Sequence, residues 1–301
     1  MIPNPDQFAA PATGAAVRRH ARRIGRWVLI ALVLVVAVIG LLFITRGTAV
    51  QRVRGVGADG TPVAPAESTF AVAVAVLTGT VILPGNRVEL ALDGDGTFPR
   101  LWADLRGEQR SITVQMYYAG PGRVADTLAS ILEDRARNGV LVYMLYDAFG
   151  SNVPDAYLDR LRAAGVRAVA FRPLRFSNLW VVQNRSHVRG IVVDGRIGWT
   201  GGFGIDDKWL GGGRRPGEWR ETNARFAGPA VRQLQAAFAS GWTEATGELL
   251  TGCMAVDTYE DGVALAGLLY TAPTLGSTPA ERFLALSIGG VPVPVIVISS
   301  S

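Results

Sequence analysis

Lysine, histidine and cysteine are scarce in this 301-residue chain, which contains one lysine (Lys208), two histidines (His20 and His187) and one cysteine (Cys253). A single cysteine cannot form an internal disulfide, and it excludes a cysteine-based zinc or iron–sulfur site. Charged residues make up only 18% of the chain, against 49% hydrophobic residues, which excludes a disordered or collagen-like protein. Arginine supplies nearly all of the net charge of +5, and this basicity favours anionic partners.

The longest apolar run covers residues 27–44, which are eighteen residues without a charge. At about 1.5 Å per residue it nearly spans a hydrocarbon core of about 30 Å, so we predict a transmembrane helix. A cleaved signal peptide is the alternative, but the run exceeds the usual apolar region of about 7–15 residues. Five arginines lie within residues 1–26 and fewer follow the run, which predicts a basic cytoplasmic N-terminus, an extracytoplasmic main domain and a single-pass protein of a bacterial-type inner (plasma) membrane.

A second apolar stretch covers residues 70–83 and is interrupted by Thr78, Gly79 and Thr80. It is too short to span a bilayer easily, so we predict a strand or an interfacial segment. If it did cross back, the main domain would face the cytoplasm instead. Residues 45–85 as a whole are predicted to be a linker and juxtamembrane segment, because residues 55–68 are rich in glycine, proline and alanine.

Strands and helices alternate after residue 86, which indicates an α/β fold. The predicted strands are residues 88–92, 112–118, 140–146 and 167–171, and the predicted helices are residues 98–107, 124–138 and 154–165. Residues 190–194 and 197–200 are predicted to form a hairpin that turns on Asp194 and Gly195.

A weak internal repeat adds a prediction about domains. The order strand, loop, helix and strand in residues 88–115 recurs from Leu265 onward. We therefore predict one domain over residues 86–250 and the truncated start of a second repeat over residues 251–301. Two unrelated pieces of similar order are the alternative.

Residues 184–209 contain the polar groups that best fit a site. His187 and Arg189 are two residues apart, which places them on the same side of a strand, and Asp194 follows at the turn. Gly201 and Gly202 come after the next strand, where backbone amides can approach a ligand. Arginine can hold phosphate oxygens with two parallel hydrogen bonds, and imidazole can attack phosphorus or transfer a proton. The group predicts a phosphate site, although a histidine taken alone is more often structural.

The spacing His-x-Arg-x4-Asp-x6-Gly-Gly resembles the His-x-Lys-x4-Asp signature of the phospholipase D superfamily. Stretches such as LVYMLYDAFGS, TGGFGIDDKW and WRETNARFAGPAV are similar to its cardiolipin synthase-like branch, and the likeness runs from residue 86 to about residue 288. The resemblance implies half of a phospholipase D-like sandwich, in which a mixed sheet is flanked by helices. It also implies exchange at a phosphodiester: one histidine forms a phosphohistidine and a second protonates the leaving alcohol.

By the same resemblance, His187 is the nucleophile or its acid partner, and Arg189 is the phosphate clamp. Asp194 orients the imidazole or the cationic group, and Gly201 and Gly202 shape the phosphate pocket. No metal or other cofactor is implied. Four more pocket candidates, of which two also suit packing or turn roles at strand ends, are Tyr117, Asp147, Asn184 and Gly204.

The chain departs from the signature at several positions. Arg189 replaces the lysine, and the two cations differ in reach and hydrogen-bond geometry. Gly204 stands where relatives often have asparagine, and Asn223 stands where they often have histidine. The second signature is absent, and His20 lies across the predicted span. A homodimer that pairs two copies of His187, or another chain, would have to supply the missing histidine.

Three functions follow as expectations. The first is a membrane-anchored, phospholipase D-like protein that acts on phospholipids through a phosphohistidine, impaired alone or in need of a dimer. The second is a module that binds phosphate or anionic lipid without turnover. The third is a dimeric single-signature nuclease, which the membrane tether and the lack of a long basic stripe disfavour, so nucleic acid is not an expected partner.

Overall fold

A computed structural model describes residues 13–45, 49–57, 59–107, 110–174, 185–252, 259–271 and 278–291. The first element is helix α1 (Thr13–Thr45), which contains the predicted apolar helix. Within α1, His20–Leu41 is long and apolar enough to cross a membrane, with a mean hydropathy of 2.6, and none of its most apolar window is buried. The helix that the apolar run predicts is therefore present.

One eight-stranded sheet forms the centre of the molecule. Its strands are β1 (Leu83–Leu92), β2 (Ser111–Met116), β3 (Leu141–Asp147), β4 (Arg167–Phe171), β5 (Gly190–Val193), β6 (Ile197–Gly201), β7 (Thr222–Ala227) and β8 (Ala264–Ala266). They lie in the order β4-β3-β2-β5-β6-β7-β1-β8. Strands β2, β3 and β4 are mutually parallel, and every other pairing is antiparallel. The expected mixed sheet is confirmed.

Helices cover both faces of the sheet. The helices α3 (Asp93–Arg106), α4 (Arg123–Arg137) and α5 (Asp155–Ala163) share the larger apolar core, and α6 (Val231–Thr246) packs on the opposite face. Strand β2 shows both environments because all six of its residues are buried. Ile112 and Val114 belong to the larger core, whereas the Thr113 hydroxyl donates to the Gln235 side chain of α6, at 3.2 Å.

The predicted elements from residue 112 to residue 200 agree with the structure to within about two residues at each end. The larger difference is α3, which begins at Asp93 rather than at residue 98. Asp93 and Asp95 lie in its first turn, where carboxylates favour the positive end of the helix dipole. Strand β1 correspondingly begins at Leu83, five residues before the predicted start.

The predicted strand within residues 70–83 is wrong, because Phe70–Thr78 forms helix α2. Alternating valine and alanine imitates the period of a strand, but alanine has the highest helix propensity of any residue. Gly79 ends the helix with φ of 73°, a left-handed conformation that glycine adopts without strain. Helix α2 packs against α7 (Pro279–Gly289) rather than joining the sheet.

A strand and a helix lie in the segment assigned to the proposed repeat. Strand β8 pairs antiparallel with β1 at the edge of the sheet, and α7 follows, with the Thr278 hydroxyl accepting from the Glu281 N–H at 3.2 Å. The second strand that the repeat predicts would fall in residues 292–301, outside the described residues. The assignment of residues 251–301 to a second repeat stays a prediction.

Candidate phosphodiester site

The site lies at the sheet edge where β2 and β3 end. Because β5 runs antiparallel to β2 and β6 antiparallel to β5, the start of β5 and the end of β6 meet at this same edge. His187 and Arg189 lie in residues 185–189, just before β5 begins, rather than within the predicted strand. Both line a cavity of about 430 Å³, together with Gly201.

The imidazole of His187 is exposed and stacks on the ring of Tyr117, with 3.6 Å between the ring centroids and 26° between the planes. Partial burial lowers the pKa of His187, and the nearby positive charge of Arg189 lowers it further, whereas Asp147 raises it. The net direction is downward from 6.5. A neutral imidazole at pH 7 has a free nitrogen lone pair, which a nucleophile or a general base requires.

Asp147 is the buried carboxylate behind His187. It ends β3, and its Oδ1 accepts from the backbone N–H groups of Phe149 and Gly150 at 2.9 and 3.0 Å. Its Oδ2 accepts from the Ser186 N–H at 3.4 Å, and the Arg185 guanidinium lies 3.5 Å from Oδ1. Asp147 therefore fixes the segment that carries His187.

Asp194 does not lie beside His187, which corrects the role implied for it. It occupies the turn at the far end of β5, with φ of 53°, and its Oδ1 accepts from the Ser111 N–H at 2.9 Å and from the Arg110 N–H. A carboxylate at the turn can satisfy these two N–H groups at the start of β2. Asp194 joins β5 to β2 and stabilises the sheet.

Arg189 is half-buried beside two aromatic rings. Its Cζ lies 5.4 Å from the ring centroid of Trp209. Burial lowers the pKa of the guanidinium, whereas the negative charge of Glu221 raises it, and arginine remains protonated throughout. Glu221 was not predicted as a site residue, because nothing in its sequence spacing connects it with Arg189.

The predicted glycines divide between the cavity and internal packing. Gly201 lines the cavity, and a β-carbon there would come 2.2 Å from the Asn223 Oδ1. A β-carbon at Gly202 would come 1.8 Å from the Glu221 carboxylate, and one at Gly204 would come 2.6 Å from the indole of Trp209. Gly202 and Gly204 thus make room for neighbouring side chains, and contact of their backbone with a ligand stays a prediction.

Asn223, which replaces the frequent histidine, is buried and fully engaged. Its Nδ2 donates to the Thr97 hydroxyl at 2.9 Å, and its Oδ1 accepts from the Phe203 N–H at 3.2 Å. These bonds join β7, α3 and the loop after β6. Asn184, another predicted pocket residue, lies outside the described residues.

Lys208, the single lysine, is enclosed by aromatic rings near Arg189. Its Nζ lies 3.5 Å from the centroid of Tyr118, 4.1 Å from that of Trp219 and 4.5 Å from that of Trp209. Cation–π attraction to three rings holds the ammonium, and no carboxylate of the described residues forms an ion pair with it. Trp209 therefore contacts two cations, Lys208 and Arg189.

The cavity is lined by both cationic and apolar side chains. Its charged lining residues are Arg172, Arg185, Arg189 and Glu244, and its apolar lining includes Leu234, Ala237, Leu268 and Tyr270. Within the described ranges, no three histidine, cysteine, aspartate or glutamate side chains cluster so as to hold a metal ion. The arrangement suits an anion that carries an apolar group.

Sequence comparison places this geometry in a family. The chain is 35% identical to cardiolipin synthase A of Pseudomonas syringae over 208 residues. This alignment covers 68% of this chain and 43% of the relative. Cardiolipin synthase of Geobacillus kaustophilus is 37% identical over 167 residues, which are 55% of this chain and 33% of that enzyme. The predicted resemblance to the phospholipase D superfamily, and within it to the cardiolipin synthases, is confirmed. The chain spans less than half the length of these two relatives.

A solved phospholipase D family member, Nuc from Salmonella typhimurium, is 15% identical and aligns with a TM-score of 0.39 over 53% of this chain and 95% of its own. No family model matches the chain.

Proposed function

We propose that this phospholipase D-like chain supplies one half of an active site that transfers or hydrolyses the phosphatidyl group of phospholipids, anchored to the membrane by α1. The observation that carries the proposal is the pairing of an exposed imidazole, His187, with the Arg189 guanidinium at one cavity. A lowered pKa keeps His187 in its nucleophilic form at neutral pH. Phosphodiester exchange needs this nucleophile beside a cation that holds the phosphate oxygens.

In the first step, the free ring nitrogen of His187 attacks phosphorus, so that an N–P bond forms as the P–O bond to the leaving alcohol breaks. Arg189 compensates the charge on the phosphoryl oxygens. The leaving oxygen takes a proton from a second imidazole. In the second step, water or another alcohol gives its proton to that imidazole, attacks phosphorus and breaks the N–P bond.

The apolar residues that line the cavity favour a phospholipid over a nucleic acid as the substrate. Leu234, Ala237, Leu268 and Tyr270 line the same cavity as the arginines. A phosphodiester with acyl chains would place its anionic group beside the arginines and its hydrocarbon along these apolar residues. A nucleic acid has no acyl chain to place there. This supports a phospholipid as the substrate.

The second imidazole comes from outside these 301 residues, because they contain only His20 besides His187, and His20 lies within α1. A homodimer would place the partner's His187 opposite the first. In an isologous dimer, each copy presents the same surface to the other, so one shared site uses both histidines.

The test uses the chain reconstituted in phosphatidylglycerol vesicles, with released glycerol as the readout. We expect His187→Ala to abolish release and His20→Ala, the matched control outside the cavity, to retain it. An acid-labile phosphoryl adduct should form on the parent chain and be absent from His187→Ala. Glycerol release by His187→Ala at the parent rate would contradict the proposal.

Mixing tests the dimer. If both copies of His187 are needed, an equal mixture of parent and His187→Ala subunits retains activity in only about a quarter of the dimers. If each subunit works alone, half of the activity remains.

A binding module without turnover is the second candidate, and Glu221 favours it. Its carboxylate already faces Arg189 and lies against Gly202, where it opposes a phosphate electrostatically. This function predicts His187-independent binding of phosphatidylglycerol vesicles with no glycerol release from any mixture of subunits.

A further inference from the structure

Helix α2 contains no charged residue, although several of its side chains are exposed. Val72 is 63% exposed and Val76 is 76% exposed, and Leu77 is exposed as well. Helix α7, which packs against α2, leaves Leu284 and Ile288 exposed. We call these five side chains the apolar face. Contiguous exposed apolar residues of this kind mark a binding surface, and their lack of charge suits hydrocarbon.

The apolar face lies close to the end of the membrane-spanning helix along the chain. Val50 comes five residues after α1 ends, and its N–H donates to the Glu281 carboxylate of α7 at 2.8 Å. Five residues reach at most about 18 Å when fully extended. Val53 also contacts α7, where a β-carbon at Gly289 would come 3.1 Å from it. If α1 spans the bilayer, α7 is therefore held near the bilayer surface.

Charge near this connection is also suitable. Arg52 and Arg54 are exposed between α1 and α2. Basic residues near an anionic bilayer are attracted to its surface. An apolar face flanked by arginines is the composition expected of a surface that lies in the interface between lipid and water.

A groove leads from the apolar face to His187. A second cavity of about 360 Å³ begins at the end of α2, where Thr78 and Val81 line it. It shares lining residues with the His187 cavity, and these are Ala237, Ser240, Leu268 and Tyr270. The two cavities are thus adjacent parts of one groove that runs between α6 and the segment after β8.

We infer that the apolar face inserts into the surface of a phospholipid bilayer and that the groove admits one lipid from that surface to His187. The lipid's phosphodiester would reach the arginines while its acyl chains stay along the groove. Docking depends only on the apolar face, whereas admission of a lipid to His187 rests on the proposed function.

The first test measures insertion without reference to activity. In a Cys253→Ser background of the full chain, Val76→Cys and Leu141→Cys are each labelled with bimane and reconstituted in vesicles that contain nitroxide-labelled lipid. Leu141 is the matched control, because it is also exposed but lies on β3. Strand β3 is five positions in the sheet, about 24 Å, from β1, the strand that follows α2. We expect strong quenching at position 76 and weak quenching at position 141. Equal quenching at both positions would overturn the inference.

The second test separates docking from catalysis. Val72→Asp with Val76→Asp should lower the turnover of vesicle phosphatidylglycerol at least about tenfold, because burial of two valine side chains in hydrocarbon is lost, and should leave turnover of a water-soluble short-chain analogue unchanged. A thermal melt checks that the variant is folded. Equal losses on both substrates would contradict admission through the groove. Quenching at position 76 without turnover of either substrate by the parent chain would support docking and defeat the proposed function.

Discussion

The two ends of strand β5 differ in how their polar groups are used. At the turn after β5, the Asp194 carboxylate accepts hydrogen bonds from the backbone N–H groups at the start of β2, so it stabilises the fold. At the end that precedes β5, His187 and Arg189 open into a cavity. Residues of one short signature therefore serve two purposes, and only the end that contains the imidazole has groups free for chemistry on a ligand.

The largest effect should come from the open end. We expect His187→Ala to lower phosphatidylglycerol turnover by at least about a thousandfold, because the histidines of such a site act as a unit. Stability should change little, since the ring is exposed. A chemical denaturation curve that shifts as much as the activity would show that the open end is structural after all.

The closed end should show the reverse pattern. Asp194→Ala removes an acceptor from two N–H groups and places alanine at positive φ, so we expect a loss of about 2–3 kcal/mol in the free energy of unfolding. Turnover per folded molecule should stay near the parent value. Selective loss of turnover at full stability would instead assign Asp194 to the site.

Arg189→Lys sharpens the comparison with the family signature. Lysine would restore the residue type that the resemblance implies at this position, and its compact ammonium with three rotatable donors should fit the phosphate oxygens better than the planar arginine fork. We expect about a tenfold higher rate, which corresponds to about 1.4 kcal/mol. Phosphatidylglycerol turnover measures this. A lower rate would show that the two hydrogen bonds of arginine suit this cavity better.

The smallest effect is on the titration of His187. Its pKa lies below 6.5 because of partial burial and Arg189, so protonation of the nucleophile should lower turnover when pH drops below that value. Arg189→Met should raise the pKa and Asp147→Asn should lower it, because the first removes a positive charge and the second a negative one. NMR of the imidazole Cε1–H reports both shifts cleanly, since the only other histidine is His20. Shifts of the opposite sign would contradict the arrangement of charges.

Much of the fold could be predicted from the sequence because its elements carry clear local patterns. Strand β4 and helix α4 follow from apolar periodicity, and the turn at Asp194 and Gly195 follows from turn chemistry. Helix α2 could not be predicted in this way, because its alternation of valine and alanine has the period of a strand while its packing against α7 is a long-range contact.

The site was predictable in part, for a similar reason. Spacing places His187 and Arg189 together because they are near neighbours in the chain, and Tyr117 and Asp147 follow from the rule that strand ends meet. The role of Glu221 depends on β7 lying beside β6, a pairing that no local pattern reveals. The sequence suggests that Gly204 replaces a pocket asparagine, whereas the structure shows that the indole of Trp209 leaves no room for a side chain at this position.

The three rings around Lys208 have a practical consequence. This residue carries the only side-chain amine in the protein, and its ammonium is shielded by Tyr118, Trp209 and Trp219. Acylating reagents should therefore modify Lys208 slowly until those rings separate. The rate of that single modification records how often the segment after β6 opens, with no engineered label required.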